Sequence, residues 1–168
     1  MVAKREKVVS QWSQVENVYQ RRADLIPNLV NTVKGYATHE KETLEGVIEA
    51  RAKATAVTIN ADNLTPEKIE QFQKAQDGLS GALSRLMMVT ERYPDLKANQ
   101  SFLALMAQLE GTENRIATER RKYNLAAQEY NAFIQKFPEN FTAKWFDFEK
   151  KPYFQSKPGA EEAPTVKF

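Results

Sequence analysis

The fold is decided by residues 99–137, NQSFLALMAQLEGTENRIATERRKYNLAAQEYNAFIQKF, a stretch without proline. Apolar or aromatic side chains recur in it at a seven-residue spacing, with further apolar residues between them: Phe102, Leu109, Ile116, Tyr123, Tyr130 and Phe137. This pattern predicts one amphipathic helix. At about 1.5 Å per residue the helix would be roughly 55–60 Å long, too long to be stable alone in a small protein. We therefore expect it to be the central helix of a bundle.

Three other stretches of the chain show the same periodicity of apolar residues. Together with the central helix they predict four long helices, at about 4–36, 39–57, 66–92 and 98–136. No stretch alternates in the manner of a β-strand. The predicted fold class is therefore all-α, an antiparallel up-and-down four-helix bundle.

The C-terminal part of the chain, from residue 137 onward, is rich in aromatic residues. A buried aromatic side chain removes on the order of 150–250 Å² from water, so a solvated tail would not favour so many of them. We therefore expect segment 137–155 to dock on the bundle, which gives a predicted domain of residues 1–155. The residues expected to make this contact are Trp145, Tyr153 and Phe154. Residues 156–168 are predicted to form a flexible tail.

The composition excludes several classes of protein. The 168 residues carry 24 basic and 22 acidic side chains, mixed along the chain for a net charge of +2, which predicts no nucleic-acid partner. There is no cysteine, which excludes disulfides, iron–sulfur clusters and thiol catalysis. No apolar run reaches the roughly eighteen residues of a membrane-spanning helix.

The chain has a single histidine, His39, and the common catalytic and metal-binding motifs that use histidine are incomplete around it. A carboxylate-bridged di-metal centre needs two Glu-x-x-His pairs, and no Glu lies three residues before His39. Thr43 stands where a zinc-protease helix needs its second histidine. The sequence also lacks the nucleophile elbow that would indicate a Ser-His-Asp triad. We therefore predict no catalytic residue, no metal site and no cofactor. Two interpretations remain for the carboxylates: structural ion pairing, or a cation site made of oxygen ligands alone. The residues concerned are Glu16, Asp24, Glu110, Glu113 and Glu119.

Polar residues interrupt the apolar faces of the first and last predicted helices. Arg22 is out of character on the first, and Glu113 and Glu119 are out of character on the last. In an antiparallel pair, matching the start of one helix to the end of the other places Arg22 near Glu119 and Asn28 near Glu113. Because a buried charge must be paired and hydrogen-bonded, we predict a polar layer here. The residues assigned to it are Arg22, Asp24, Pro27, Asn28, Glu113, Asn114, Glu119 and Arg120.

This polar layer has two interpretations. It either fixes the register of the helices or forms a binding or proton-handling site. Pro27 lies inside the first helix, where it removes a backbone donor and predicts a bend near Ala23. The side chains of Asn28 and Asn31 are then candidates to bond to the freed carbonyl groups.

Three segments of the chain resemble the LemA family of bacterial proteins, and the resemblance covers nearly the whole chain. In the first segment the matching residues are Gln14–Asn17, Gln20–Val30, Lys34–Ala37 and His39–Glu40. In the second segment the matching residues are Leu109–Ile116, Arg121, Tyr123–Asn124 and Tyr130–Asn131. The third consists of Phe137–Pro138 and Lys151–Phe154.

The resemblance implies an antiparallel four-helix bundle without an established catalytic activity. It also implies an N-terminal transmembrane helix or lipoprotein-type signal before the first helix, whereas Met1–Lys4 leads directly into helical sequence. We therefore expect a shortened chain whose native form is membrane-associated. Some members are linked to membrane organisation. The predicted function is a non-enzymatic, membrane-tethered interaction or scaffold domain that binds an unidentified protein partner or the membrane surface. The alternative is a metal- or small-ligand-binding bundle, and hence an enzyme, that uses the polar layer.

Overall fold

A computed structural model describes residues 1–155, so the predicted tail at 156–168 lies outside the described residues. The described part is helical and contains no strand, which confirms the all-α prediction. One turn of 3-10 helix occupies Ala61–Asn63. The α-helices in chain order are α1 (Val2–Lys34), α2 (Lys41–Ala56), α3 (Pro66–Thr90), α4 (Pro94–Lys97), α5 (Gln100–Gln135) and α6 (Glu139–Trp145). The four predicted helices correspond to α1, α2, α3 and α5.

Capping chemistry sets the starts of two helices. Thr65 Oγ1 accepts a hydrogen bond from the Lys68 backbone N–H at 3.3 Å, and Pro66 takes the first position of α3, where no N–H is needed. Asn99 Oδ1 accepts from the Phe102 backbone N–H at 2.9 Å and caps α5. These caps fix where α3 and α5 begin.

The two longest helices, α1 and α5, pack against each other and run antiparallel. Near one end Lys7 Nζ lies 3.3 Å from Glu129 Oε2. Near the other, Asn99 Nδ2 donates to the Tyr36 hydroxyl at 2.8 Å. Helix α2 packs against both α1 and α3. None of the helices in residues 1–155 is long and apolar enough to cross a membrane.

The buried apolar side chains form two clusters. One combines the first half of α1, the start of α3 and the second half of α5, and the other combines the second half of α1, α2, the rest of α3 and the start of α5. On each of α1, α3 and α5 a buried polar residue separates the clusters: Arg22, Gln76 and Thr112. The polar layer therefore divides the core.

Helix α6 buries Ala143 and turns its aromatic side chains to solvent. The exposed fractions are 73% for Phe137, 66% for Phe141, 82% for Trp145 and 66% for Phe146. The prediction that Trp145 docks on the bundle is therefore wrong. Composition suggested burial, but a helix of seven residues lying on α5 has one inward face, and Ala143 occupies it.

The chain returns to the helices after α6, in a C-terminal strap that we define as residues 151–155. Phe154 is buried in the first apolar cluster. The Tyr153 ring is partly exposed, and its hydroxyl accepts a hydrogen bond from Asn131 Nδ2 at 2.8 Å. Of the three residues expected to dock, Phe154 is buried, Tyr153 is held at the surface and Trp145 points away.

Candidate functional site

Arg22 is the centre of the polar layer and is 1% exposed. Its Nη1 donates to Glu113 Oε1 at 3.0 Å and to Ser80 Oγ at 2.8 Å. Its Nη2 donates to Gln76 Oε1 at 2.8 Å and to the Gln76 carbonyl oxygen at 3.0 Å. One guanidinium group therefore joins α1, α3 and α5 at a single level of the core.

The charge of Arg22 is compensated in two ways. Glu113 supplies the opposite charge from a side chain that is 43% exposed, so water screens part of this ion pair. The Tyr19 ring centroid lies 5.3 Å from Arg22 Cζ, a cation–π distance. Burial raises the pKa of Tyr19, partly opposed by Arg120 and Arg22, so its hydroxyl stays neutral at physiological pH. Arg22 Nε is buried and has no acceptor among the described residues.

The predicted pairing of Arg22 with Glu119 is wrong. Glu119 accepts a hydrogen bond from Gln11 Nε2 at 2.5 Å and lies 3.6 Å from Lys122 Nζ. The partner of Arg22 is Glu113, six residues earlier on α5, which corresponds to about 9 Å along a helix axis. The two helices therefore pair with a different axial offset from the one obtained by matching their ends.

Four residues assigned to the polar layer lie at the surface instead. Asp24, Pro27, Asn28 and Asn114 are all exposed. Asp24 Oδ1 accepts from Gln20 Nε2 at 2.9 Å, within the same helix. The structure therefore brings Arg22 and Glu113 together and leaves these four residues outside the layer.

Pro27 affects the structure through the carbonyl group of Ala23. A residue other than proline at position 27 would donate its backbone N–H to that oxygen. Here Arg51 Nε of α2 donates to it at 2.8 Å. The freed carbonyl is thus bonded by another helix rather than by Asn28 or Asn31, and Pro27 contributes to the contact between α1 and α2.

Side-chain amides hold the C-terminal strap by bonding to its backbone. Each amide both donates to the carbonyl and accepts from the N–H of one strap residue, at distances between 2.6 and 3.3 Å. The pairs are Asn131 with Lys151, Asn124 with Phe154, and Gln73 with Gln155. Because α3 and α5 supply these amides, the strap lies across both helices and its backbone bonds to side chains instead of to a neighbouring strand.

The strap inserts one ring into an aromatic cluster. Phe154 stacks on Trp12 at 5.6 Å between centroids and meets Tyr123 edge-on at 5.4 Å. Arg120 Cζ lies 4.8 Å from the Phe154 ring centroid, and its Nη2 donates to the Gln155 carbonyl oxygen at 3.3 Å. Arg120, assigned to the polar layer from the sequence, thus holds the strap.

Tyr123 connects the strap to the core through its hydroxyl. The hydroxyl donates to the Pro152 carbonyl oxygen at 2.9 Å. Burial raises the pKa of Tyr123, and the neighbouring Tyr153 raises it further. The hydroxyl is therefore a neutral donor throughout the physiological range.

Several residues of these sites were not assigned from the sequence. Gln76 interrupts the apolar face of α3 between Phe72 and Leu79, as Arg22 does on α1, and this interruption is the signal that could have marked it for the polar layer. Ser80 lies one turn further along α3 and gives no such signal. The strap-binding amides are ordinary helix residues whose role becomes visible only when the strap is in place.

The chemical capacity of the polar layer follows from its contacts. Both terminal nitrogens of Arg22 donate to protein acceptors. The cleft beside the layer, lined in part by Glu16, Tyr19 and Gln76, has a volume of about 80 Å³, well below the roughly 300 Å³ of small ligand pockets. Within residues 1–155, no group of three or more His, Cys, Asp or Glu side chains is arranged to hold a metal ion.

Comparison with known proteins gives a family and several relatives. The model of the LemA family matches residues 11–168. Magnetosome protein MamQ 2 of Paramagnetospirillum magneticum is 31% identical over 173 residues, which cover 92% of this chain and 62% of that protein. Magnetosome protein MamQ of Magnetospirillum gryphiswaldense is 28% identical over 92% of this chain and 62% of that protein. Protein LemA of Metamycoplasma hominis is 29% identical over 86% of this chain and 62% of its own length. The chain thus spans less than two thirds of each relative. The match over residues 11–168 confirms the resemblance seen in the helix motifs, and the chain belongs to the LemA family.

Proposed function

We propose that this chain is a non-enzymatic interaction or scaffold domain, an antiparallel four-helix bundle that is tethered to a membrane by a segment outside the sequence. The observation that carries the non-enzymatic part is the closed state of the polar layer. Both terminal nitrogens of Arg22 bond to Glu113, Ser80 and Gln76, and the adjoining cleft is too small for an ordinary substrate. In this proposal the layer fixes the register of α1, α3 and α5.

The tether has a different basis. The LemA resemblance implies an N-terminal membrane segment, and this chain covers 62% of the length of its relatives. A helical domain placed at a membrane by such a segment would act by holding a partner protein there. Two of the relatives are named magnetosome proteins, and a third is named LemA; the partner of this chain is not identified by those names.

Fractionation of the native protein tests the tether. The protein is expressed from its own gene with all sequence that precedes Met1, and membranes are washed with alkaline carbonate. We expect the protein to remain in the membrane pellet and to be cross-linked there to a discrete partner. Recovery in the soluble fraction would overturn the tether, and pellet recovery with no cross-linked partner would overturn the scaffold role.

Metal analysis tests the alternative, a metal- or ligand-binding bundle that uses the same layer. The purified chain and its Glu113→Gln variant are compared by elemental analysis after dialysis without chelator. We expect neither protein to retain a stoichiometric metal. A metal that is present in the wild type and lost in Glu113→Gln would overturn the non-enzymatic proposal and favour the alternative.

A further inference from the structure

Four large aromatic side chains around α6 are exposed over most of their surface. We define the aromatic end surface as Phe137, Phe141, Trp145 and Phe146. Phe141 and Trp145 are four residues apart and share one face of α6, and the Phe137 ring meets Phe141 edge-on at 5.9 Å between centroids. From the size of these side chains, their summed exposed area is on the order of 500 Å², an amount comparable with the largest apolar patches on monomeric proteins.

The aromatic end surface lies at the end of the molecule where α1 begins. Lys4 Nζ is 5.6 Å from the ring centroid of Phe133, near the end of α5, and Arg5 Cζ is 5.2 Å from the ring centroid of Phe148, just after α6. In the proposed tethered protein, a segment that precedes α1 would therefore enter the membrane beside this surface. A short tether then holds these aromatic rings close to the lipid headgroups.

The chemistry of the surface fits a lipid interface. Tryptophan and phenylalanine on one face of an amphipathic helix favour the boundary between headgroups and acyl chains. Lys136 and Lys144 are exposed directly beside Phe137 and Trp145 and suit anionic headgroups. Acidic residues also lie nearby, at Asp147 among others, so the aromatic rings rather than net charge must supply most of the affinity.

We propose that the aromatic end surface inserts into the interfacial layer of a lipid bilayer. The proposal rests on the tether described above and names the part of the domain that faces the membrane. It orients the long axis of α1 and α5 away from the bilayer. The C-terminal end of α1 and the N-terminal end of α2, at the opposite end of the helix pair, then face a partner.

Tryptophan fluorescence of the full chain tests this insertion. The chain has two tryptophans, of which Trp12 is 0% exposed and Trp145 is 82% exposed, so a change in emission reports Trp145. Vesicles of phosphatidylcholine and phosphatidylglycerol in equal parts are added at low salt. We expect emission to move to shorter wavelength and iodide quenching to fall, because Trp145 leaves water.

A matched pair of variants assigns the effect to the surface. The Phe137→Ser/Phe141→Ser protein keeps Trp145 and is expected to bind vesicles at least about tenfold more weakly, since two apolar rings are lost. The control Met88→Ser/Leu125→Ser removes two other exposed apolar side chains, from α3 and α5, and is expected to bind as the wild type does. Circular dichroism checks that both variants keep their helices.

Three results would overturn the proposal. One is Trp145 emission that does not respond to vesicles, and another is an equal loss of binding in the Met88→Ser/Leu125→Ser control. The third is a shift that follows protein concentration without lipid, which would identify a second copy of the chain as the occupant. Carbonate fractionation of the native protein tests the tether separately, so a native protein that stays in membranes while Trp145 is silent refutes only the role of the aromatic end surface.

Discussion

At the scale of single residues, the partner chosen by Arg22 determines how α1 and α5 are aligned. In a double-mutant cycle we expect Arg22→Met and Glu113→Gln to couple by about 1 kcal/mol or more, because either change ends the same ion pair. Arg22→Met and Glu119→Gln should be additive within about 0.5 kcal/mol, since Glu119 bonds to Gln11 instead. Urea unfolding of the single and double variants measures both couplings. Coupling to Glu119 in place of Glu113 would contradict the observed register.

Tyr123 gives a prediction at alkaline pH. Its pKa is raised in the folded protein by burial, so above the unfolded value of about 10 the folded state binds more protons than the unfolded state. The stabilisation is complete below about pH 10 and is lost as pH rises further. We expect Tyr123→Phe to lower the free energy of unfolding at pH 7 by about 1–2 kcal/mol, because the Pro152 carbonyl loses its donor. Between about pH 10 and 11.5 the variant should lose stability less steeply than the wild type. Equal slopes in urea unfolding would contradict a buried hydroxyl.

At the scale of elements, α1 and α2 are joined through a defect in α1. The Ala23 carbonyl lacks its helical donor because residue 27 is proline, and Arg51 replaces that donor. Arg51→Met should lower the free energy of unfolding by about 1–2 kcal/mol, because it leaves the carbonyl unbonded. In a Pro27→Ala background, where the backbone N–H restored by the substitution reaches the same carbonyl, the penalty should be smaller by about 1 kcal/mol. Thermal or urea unfolding of the four proteins gives this difference, and an equal penalty in both backgrounds would mean that Arg51 acts elsewhere.

The elements also show how far the sequence determines the fold. Apolar periodicity predicts the long helices, and Thr65 with Pro66 predicts the start of α3. The axial offset of α1 against α5 does not follow from periodicity, because sliding one helix by about two turns again matches apolar faces. The choice depends on how Arg22 is satisfied, which involves Gln76 and Ser80 of a third helix.

The orientation of α6 shows a different limit. Aromatic content suggested burial for the whole segment, although the four-residue spacing of Phe141 and Trp145 already places these two on one helix face. Which face of a short helix turns inward depends on the surface beneath it, and here Ala143 lies against the rest of the protein. The strap raises the same difficulty, because its anchors Asn124 and Asn131 are distant in sequence from the backbone groups they bind.

At the scale of the whole molecule, stability is expected to be uneven. The central helix α5 buries side chains in both apolar clusters and carries the strap, whereas α2 belongs to one cluster and buries Leu44, Val47 and Ala54 alone. Helices with few buried apolar contacts open at lower free energy than the core. The second cluster should therefore loosen at α2 while the first cluster remains closed around Phe154.

Hydrogen exchange measures this difference directly. Under native conditions we expect amides of α2 to exchange at least about tenfold faster than amides between Ile116 and Tyr130 of α5, because opening α2 exposes little apolar surface. Arg51→Met should speed exchange in α2 further and leave the α5 amides unchanged, since Arg51 joins α2 to α1 without contacting the strap. Uniform protection across α2 and α5 would mean that the two clusters open as one unit. In that case the polar layer around Arg22 would couple the halves of the core rather than divide them.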